Sequence, residues 1–246
     1  MTLRVVVNGA AGRMGQSAVN AIEKDPELTL AGVSGRHDNL ENVIKSAQAD
    51  IVVDLTNAHS VYQNSLTILN AGCHPVIGTS GLTEAQVAEL QTLAKQKSLG
   101  GIVVPNFSIG AVLMMNLAAQ AAKFFSYAEI IEYHHEKKAD APSGTALCTA
   151  EMLKTAPRDK QADQPIKHTV PGSRGAVHND IPVHAVRMPG VIAKQQIIFG
   201  GLDETLTLEH HSISREAFMP GLLVACKQVV HLEGLLYGLE KILEIE

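Results

Sequence analysis

Cysteine is scarce in this sequence: three residues in 246, Cys73, Cys148 and Cys226, with no Cys-x-x-Cys pair among them. That spacing argues against a zinc ribbon and against a disulfide framework. It fits reduced thiols in the cytoplasm, each reading most simply as a small buried apolar residue. Runs of positive charge are missing too, since no stretch of consecutive Lys and Arg exceeds two residues and the formal net charge is -5, with a pI near 6.1. Nucleic acid and anionic membrane both need a basic face, so neither is an expected partner, and any basic site has to be a local pocket. Nor does any apolar run approach the roughly 20 residues of a membrane-spanning helix. The N-terminus, "MTLRVVVNGAAGRMG", enters a strand pattern at once and lacks the apolar stretch and cleavage site of a signal peptide, which makes the cytoplasm the expected location. There is no internal repeat and no low-complexity segment.

What is present suits one large or two modest globular domains, with 46% hydrophobic and 18% charged residues. Up to about residue 106, short Val/Ile/Leu runs alternate with helical patterns, as repeated βα units of a parallel sheet should. Strands are expected at Leu3 to Asn8 and within "LTLAGVSG", "ADIVVDLT", "HPVIGTSG" and "GGIVVPNF". The first helix is expected from Gly15 to Lys24, and a later one opens at Thr83 with a Thr-Glu-Ala-Gln capping box. After Asn106 the rhythm changes to an apolar helix in "SIGAVLMMNLAAQAAKFF", a strand in "AEIIEYHH" and a helix in "SGTALCTAEMLK". A polar stretch from about 155 to 175 follows. Then "IPVHAVRM", "AKQQIIFGG" and "ETLTLEHHS" read as consecutive strands with Gly or Asp turns. The expected fold is α/β: a Rossmann-like doubly wound parallel sheet plus an α+β domain with a mainly antiparallel sheet. From Arg215 to the end the pattern reads as helical, with Pro220-Gly221 as a break or start signal.

Directly after the first strand, "NGAAGRMG" places glycines at 9, 12 and 15. Gly9 suits a tight turn, Gly12 a close approach of the backbone to a pyrophosphate, and Gly15 close packing of the helix, whose N-terminus would face the phosphates. The spacing is Gly-x-x-Gly-x-x-Gly rather than the Gly-x-Gly-x-x-Gly fingerprint, and a plain strand-to-helix turn is the simpler alternative. At the end of the second strand stands "VSGRHDN". Ser34 and Gly35 occupy the place where an acidic residue would bind a ribose 2′-hydroxyl, and Arg36 follows where a 2′-phosphate could be met. This favours NADPH, with NADH as the alternative because Asp38 could fold back toward the ribose; Arg36 can also be read as a solvated loop residue. The C-terminal loops of the fourth and fifth strands, with Gly78, Thr79, Ser80, Asn106 and Phe107, suit the nicotinamide side of a ligand crevice.

The densest chemistry lies in "EYHHEKKADAPSGTA", Glu132 to Ala146. His134 and His135 end a strand and should point to opposite faces, Lys138 follows on a loop, and Ser143-Gly144-Thr145 stands where a helix begins. Such a helix start, with a Thr hydroxyl and nearby cations, suits a carboxylate ligand, and His or Lys can donate a proton. Taken singly, Ser143 reads as a helix N-cap, Lys137 as a solvated neighbour and the histidines as structural or exposed.

Together these residues resemble the signature Glu-x-His-His-x-x-Lys-x-Asp-Ala-Pro-Ser-Gly-Thr-Ala of the dihydrodipicolinate reductase family. The similarity extends, in order, through "GAAGRMG", "IGTSG", "PNFSIG" and "SREAFMPG". It implies reduction of 4-hydroxy-tetrahydrodipicolinate (dihydrodipicolinate) to tetrahydrodipicolinate by NAD(P)H, a step toward diaminopimelate and lysine. By the same resemblance His134 is the acid/base and Lys138 the proton donor, while His135, Ser143, Gly144 and Thr145 meet a small cyclic dicarboxylate. Gly9, Ala10, Ala11, Gly12, Arg13 and Met14 match the pyrophosphate loop and Arg36 the 2′-phosphate contact. Gly78, Thr79 and Ser80, with Val104, Pro105, Asn106 and Phe107, match the nicotinamide side. The family also implies a homotetramer assembled through the second domain's sheet, and C-terminal helices that return to the nucleotide domain. The expected domains are therefore 1–106 with 215–246 for the dinucleotide and 107–214 for substrate and assembly. Two positions depart from the family pattern: Ser80 stands for a Thr, and Gly35 for a common acidic residue.

Three rivals remain. A metallohydrolase using His134, His135, His210 and His211 is disfavoured, because adjacent strand histidines point apart and no set of metal ligands is completed. A non-catalytic dinucleotide sensor would have little reason to keep both His134 and Lys138. A related two-domain enzyme such as an aspartate dehydrogenase lacks a reason for the Lys-x-Asp-Ala-Pro-Ser-Gly-Thr segment. His210 and His211 receive no role, and no metal is expected.

Overall fold

In the computed structural model, which describes residues 2–153 and 169–243, the chain alternates strands and helices in two compact units, Met1–Ile109 with Arg215–Glu246 and Gly110–Ser214. In chain order the elements are β1 (Leu3–Asn8), α1 (Arg13–Lys24), β2 (Leu28–Ser34), α2 (Leu40–Ala47), β3 (Ile51–Asp54), α3 (Val61–Asn70), β4 (His74–Ile77), α4 (Glu84–Gln96) and β5 (Gly101–Val103). Next come α5 (Ile109–Ala121), β6 (Tyr127–His134), α6 (Gly144–Leu153), β7 (Ala176–His178), β8 (Ile181–Arg187), β9 (Ala193–Gly201) and β10 (Glu204–Ser212). A 3-10 turn (Arg215–Phe218), α7 (Met219–Val229), β11 (Leu235–Tyr237) and a second 3-10 turn (Leu239–Lys241) complete it.

The first unit is built on a six-stranded sheet in the order β11-β5-β4-β3-β1-β2, every pairing parallel. Val5 to Val7, Ile51 to Val53, Val76 and Ile77 are fully buried, which explains why these strands are continuous apolar runs rather than alternating ones. Helix α1 buries Gly15, Ala18 and Ile22, one stripe at helical spacing. The capping box at Thr83 is present in both directions: Thr83 Oγ1 accepts the Gln86 N–H (3.3 Å) and Gln86 Oε1 accepts the Thr83 N–H (3.0 Å). From β1 the chain runs to β2 on one side and then to β3 on the other, so the strand order reverses between β1 and β3, where Asn8 and Asp54 are paired. In open α/β sheets the ligand crevice lies at the strand C-termini at such a reversal.

Residues 232 to 243 correct the helical expectation for the C-terminal end; residues 244–246 lie outside the described ones. Gly234 (φ 83°) and Gly238 (φ 101°) have left-handed backbones that stop a helix, and between them β11 pairs with β5 as the outermost strand. Before it, Lys227 ties α7 to the α1–β2 turn through Asp25 (2.9 Å) and Glu27 (2.6 Å).

In the second unit the sheet order is β10-β9-β6-β8-β7, with β6 and β8 parallel and the other pairings antiparallel. Met114, Met115 and Ala118 of α5 and Ala146, Ala150 and Leu153 of α6 pack in one core with Ile130, Ile181, Val183, Ile197 and Phe199 of the sheet. The alternation Gln195, Ile197, Phe199 inward along β9 is the two-residue period of a sheet covered on one face. β7 was not expected; its three residues are largely exposed at the sheet edge and carry no period to read. The polar stretch expected at 155–175 lies outside the described residues up to 168.

Two of the three thiols are buried, and burial pushes Cys73 up to about 11 and Cys226 up to about 12. Cys148 departs from expectation by being exposed on α6.

Candidate active site

The glycine loop of the first unit is shaped by close backbone approaches. Gly9 has φ 89°, and a Cβ there would lie 2.5 Å from the Leu55 carbonyl oxygen, so both conformation and space require glycine. Gly15 is not in an unusual conformation, yet a Cβ on it would lie 2.2 Å from Gly9 O and 2.7 Å from Ala10 Cα. Helix α1 therefore rests directly on the loop. Its N-cap is Gly12, which supplies no side-chain hydrogen bond, so the start of α1 is open to an anion. Ala11, Gly12 and Arg13 are exposed, Ala10 and Met14 half-buried. A cavity of about 510 Å³ adjoins the loop, lined by Ala10, Ala11, Gln16, Val19, Asn20 and Val33. Arg36 is exposed after β2. Asp38 is turned back on the strand end, its Oδ2 accepting the Gly35 N–H at 2.8 Å.

Asp54, fully buried at the end of β3, ties together the ends of three strands. Its Oδ2 accepts from Asn8 Nδ2 (2.9 Å) and Asn64 Nδ2 (2.8 Å), and its Oδ1 from the Thr56 hydroxyl (2.8 Å) and the Thr79 hydroxyl (2.5 Å). The Thr79 hydroxyl thus points inward, while its oxygen accepts the Thr56 N–H at 2.8 Å. Gly78 is covered by the Phe107 ring, since a Cβ there would lie 2.5 Å from Phe107 Cε2. Ser80 and Pro105 are exposed, Val104 and Phe107 buried, and Asn106 Oδ1 accepts the Ser108 N–H at 2.9 Å.

In the second unit, β6 ends by delivering Glu132 and His134 to the same face, as residues two apart on a strand must be. Glu132 is fully buried and Arg187 of β8 grips it with two hydrogen bonds, Nη1 to Oε2 (2.9 Å) and Nη2 to Oε1 (2.7 Å). His134 Nδ1 lies 2.6 Å from Oε2, and Oε1 accepts the Ser143 N–H at 3.1 Å. Ser143 is the N-cap of α6, its hydroxyl oxygen accepting the Ala146 N–H at 3.2 Å. Gly144 beside it is exposed, and an added Cβ would meet no atom of the described residues within 4 Å. The Lys138 ammonium donates to both Asp140 oxygens at 2.8 Å, and Arg187 Nη2 also holds the Asp140 carbonyl at 2.8 Å. His134, His135, Lys138 and Thr145 are all half-buried. Among the described residues no three His, Cys, Asp or Glu side chains converge as metal ligands. His210 packs instead against the start of α5, where a Cβ on Gly110 would lie 2.7 Å from its ring; burial, aided by the neighbouring His211, holds its pKa below the usual imidazole value.

Burial alone would raise the Glu132 pKa, but hydrogen bonds from His134 and Arg187 and their charges outweigh it and hold the carboxyl below its ordinary 4.5. A carboxyl shifted down on folding adds stability that is present above its unfolded pKa and is lost as pH falls through the folded one. The thermal midpoint is therefore expected to drop as the medium is acidified below 4.5, with a shallower drop in Glu132→Gln. Melting curves from pH 7 down to about pH 3 check this, and equal slopes for both proteins would contradict a native carboxylate.

Residues 3–107 match the family model described as dihydrodipicolinate reductase, N-terminus, and residues 110–243 the one described as dihydrodipicolinate reductase, C-terminus. The chain belongs to the dihydrodipicolinate reductase family. A 4-hydroxy-tetrahydrodipicolinate reductase of Legionella pneumophila (strain Lens) is 51% identical over 243 residues, covering 99% of this chain and 100% of its own length. The enzyme of that name from Coxiella burnetii is 44% identical with the same coverage. A solved dipicolinate-bound dihydrodipicolinate reductase from Paenisporosarcina sp. TG-14 superposes with a TM-score of 0.89 at 41% identity, over 98% of this chain and 100% of its own. In this dihydrodipicolinate reductase family member the N-terminal part, with its parallel sheet, is a dinucleotide-binding domain.

Sequence reading selected Thr79 from the first cluster and His134, Lys138 and Ser143 from the second, and missed the groups that bind them: Asp54 with Asn8 and Asn64, and Glu132 with Arg187. A signal for Glu132 existed, since a Glu two residues before a strand histidine shares its face. Arg187 lies 55 residues away in sequence and comes alongside only because β6 and β8 pair, with His134 opposite Arg187.

Proposed function

We propose that this chain is a 4-hydroxy-tetrahydrodipicolinate reductase that uses NAD(P)H, with residues 1–106 and 215–246 taking the dinucleotide and 107–214 the substrate. The observation that carries the reading is the cluster at the end of β6, where the buried Glu132–Arg187 pair holds His134 and Ser143, the cap of α6, and Asp140 beside it holds Lys138. In the overall reaction one hydride and one proton enter the substrate and one water leaves, giving tetrahydrodipicolinate and the oxidised cofactor. The glycine loop fits a pyrophosphate, because side chains are excluded from it and the first turn of α1 has no cap.

Gly9 to Met14 would hold the pyrophosphate, and Gly78 to Ser80 with Val104 to Phe107 the nicotinamide side. The bound nicotinamide supplies the hydride. His135, Ser143, Gly144 and Thr145 would take the substrate carboxylates, the open space over Gly144 leaving room for one. Lys138 would exchange Asp140 for the ligand and donate a proton, and His134 would act as acid/base. Among the described residues helices cover one face of the second unit's sheet, and its other face suits assembly into a homotetramer; the cytoplasm is the expected site of action.

NADPH is the favoured cofactor because Arg36 is exposed and carries the only formal charge among residues 34–36. NADH is the second choice, since Asp38 Oδ2 lies 3.7 Å from where a Cβ on Gly35 would be and brings negative charge beside that place. Arg36→Ala is expected to cut kcat/KM for NADPH about tenfold and leave NADH within about twofold, as loss of one charged hydrogen-bonding partner should. Initial rates with each cofactor, on substrate generated in situ from pyruvate and aspartate semialdehyde by the upstream synthase, test both points. Oxidation of neither cofactor by folded protein would reject the reductase reading; an equal loss with both cofactors would reject Arg36 as the phosphate reader.

A further inference from the structure

Four hydrogen-bonding contacts converge on the Glu132 carboxylate: two from Arg187, one from the Ser143 N–H and one with His134 Nδ1. An ionised carboxylate can only accept, so a lone pair on Nδ1 at 2.6 Å would oppose an oxygen already bonded to Arg187. The proton must therefore sit on Nδ1, and Nε2 is the nitrogen left for a ligand. The same carboxylate holds Ser143, the cap of α6, while Arg187 reaches on to the carbonyl of Asp140, whose side chain takes Lys138. Among the described residues Arg187 Nε is buried without a partner, a local cost of the clamp in which both Nη groups bond.

We infer that Glu132, gripped by Arg187, is the positioning residue of the site: it fixes the Nδ1–H tautomer of His134 and, through Ser143, the place of the α6 N-terminus relative to that ring. The inference rests on the reductase reading. Glu132 touches no reacting atom, and the substrate is met by groups it holds.

The test combines turnover with ring 15N spectra of protein labelled in its histidines, the His134 signal being identified by its loss in His134→Gln. Expected are an Nδ1–H ring in the wild type, a changed tautomer balance in Glu132→Gln, and a kcat about 10²-fold lower with the NADPH KM unchanged, in line with the large cost of releasing a histidine from its orienting carboxylate. An Nε2–H ring in the wild type, or Glu132→Gln with wild-type kcat, overturns the positioning role and leaves the reductase reading standing. If Glu132→Gln does not fold, the wild-type spectrum alone decides the tautomer. Absence of wild-type turnover overturns the reductase reading and with it any role of Glu132 in that reaction.

Discussion

His134→Gln is expected to lower kcat by about 10²- to 10³-fold, the range for removal of a positioned proton-transfer group, with cofactor affinity unchanged. Glutamine keeps the reach and can still donate to Glu132, so the variant should fold, but it cannot cycle a proton near neutral pH. Lys138→Ala should be comparably slow and should also raise the substrate KM, since the ammonium now held by Asp140 would serve as both proton donor and carboxylate partner. Steady-state rates with NADPH, paired with direct titration of cofactor binding, separate the two effects. Near-normal turnover in either variant would remove that residue from the proposed chemistry.

Gly15→Ala is expected to destabilise the protein by about 2–3 kcal/mol, the cost typical of forcing an extra carbon into packed structure. Two effects oppose each other here. Alanine is the better helix former by about 1 kcal/mol, so propensity alone predicts a gain. The new Cβ, however, would lie 2.2 Å from Gly9 O and 2.7 Å from Ala10 Cα, both backbone atoms that cannot swing away like the end of a side chain. The overlap wins, and the relief it demands is displacement of the glycine loop, which we propose holds the pyrophosphate. Denaturant midpoints and NADPH titration should therefore both worsen; a variant more stable than the wild type would show that α1 does not rest on the loop as described.

Where local pattern and packing agreed, the sequence could be read element by element. β1, β9 and β10 lie at the expected residues because each is a short β-branched or alternating run bounded by Gly, Asp or Asn turn residues. The last strand escaped because its three residues, Leu235 to Tyr237, are too few to set a period, and only two left-handed glycines separate them from a helical pattern. The candidate site was legible where its residues sit close together, from Glu132 to Ala146. It was illegible where the fold supplies partners from afar: Arg187 reaches Glu132 across a strand pairing, and Thr79 meets Asp54 across two neighbouring strands. The Thr79 hydroxyl suited a ligand in the sequence and is engaged with Asp54 in the structure, whereas Ser143 is the helix N-cap that it reads as when taken singly.

The Asp54 cluster bears on what a cofactor would encounter. Because the carboxylate at the end of β3 bonds to side chains from the end of β1, the following loop, α3 and the loop after β4, these segments cannot fluctuate independently without breaking a hydrogen bond to a buried carboxyl group. The conformational entropy of this rim is thus surrendered when the chain folds, not when the dinucleotide arrives. For a dinucleotide bound at the proposed crevice, binding free energy would then go to discrimination between ligands rather than to ordering the receptor.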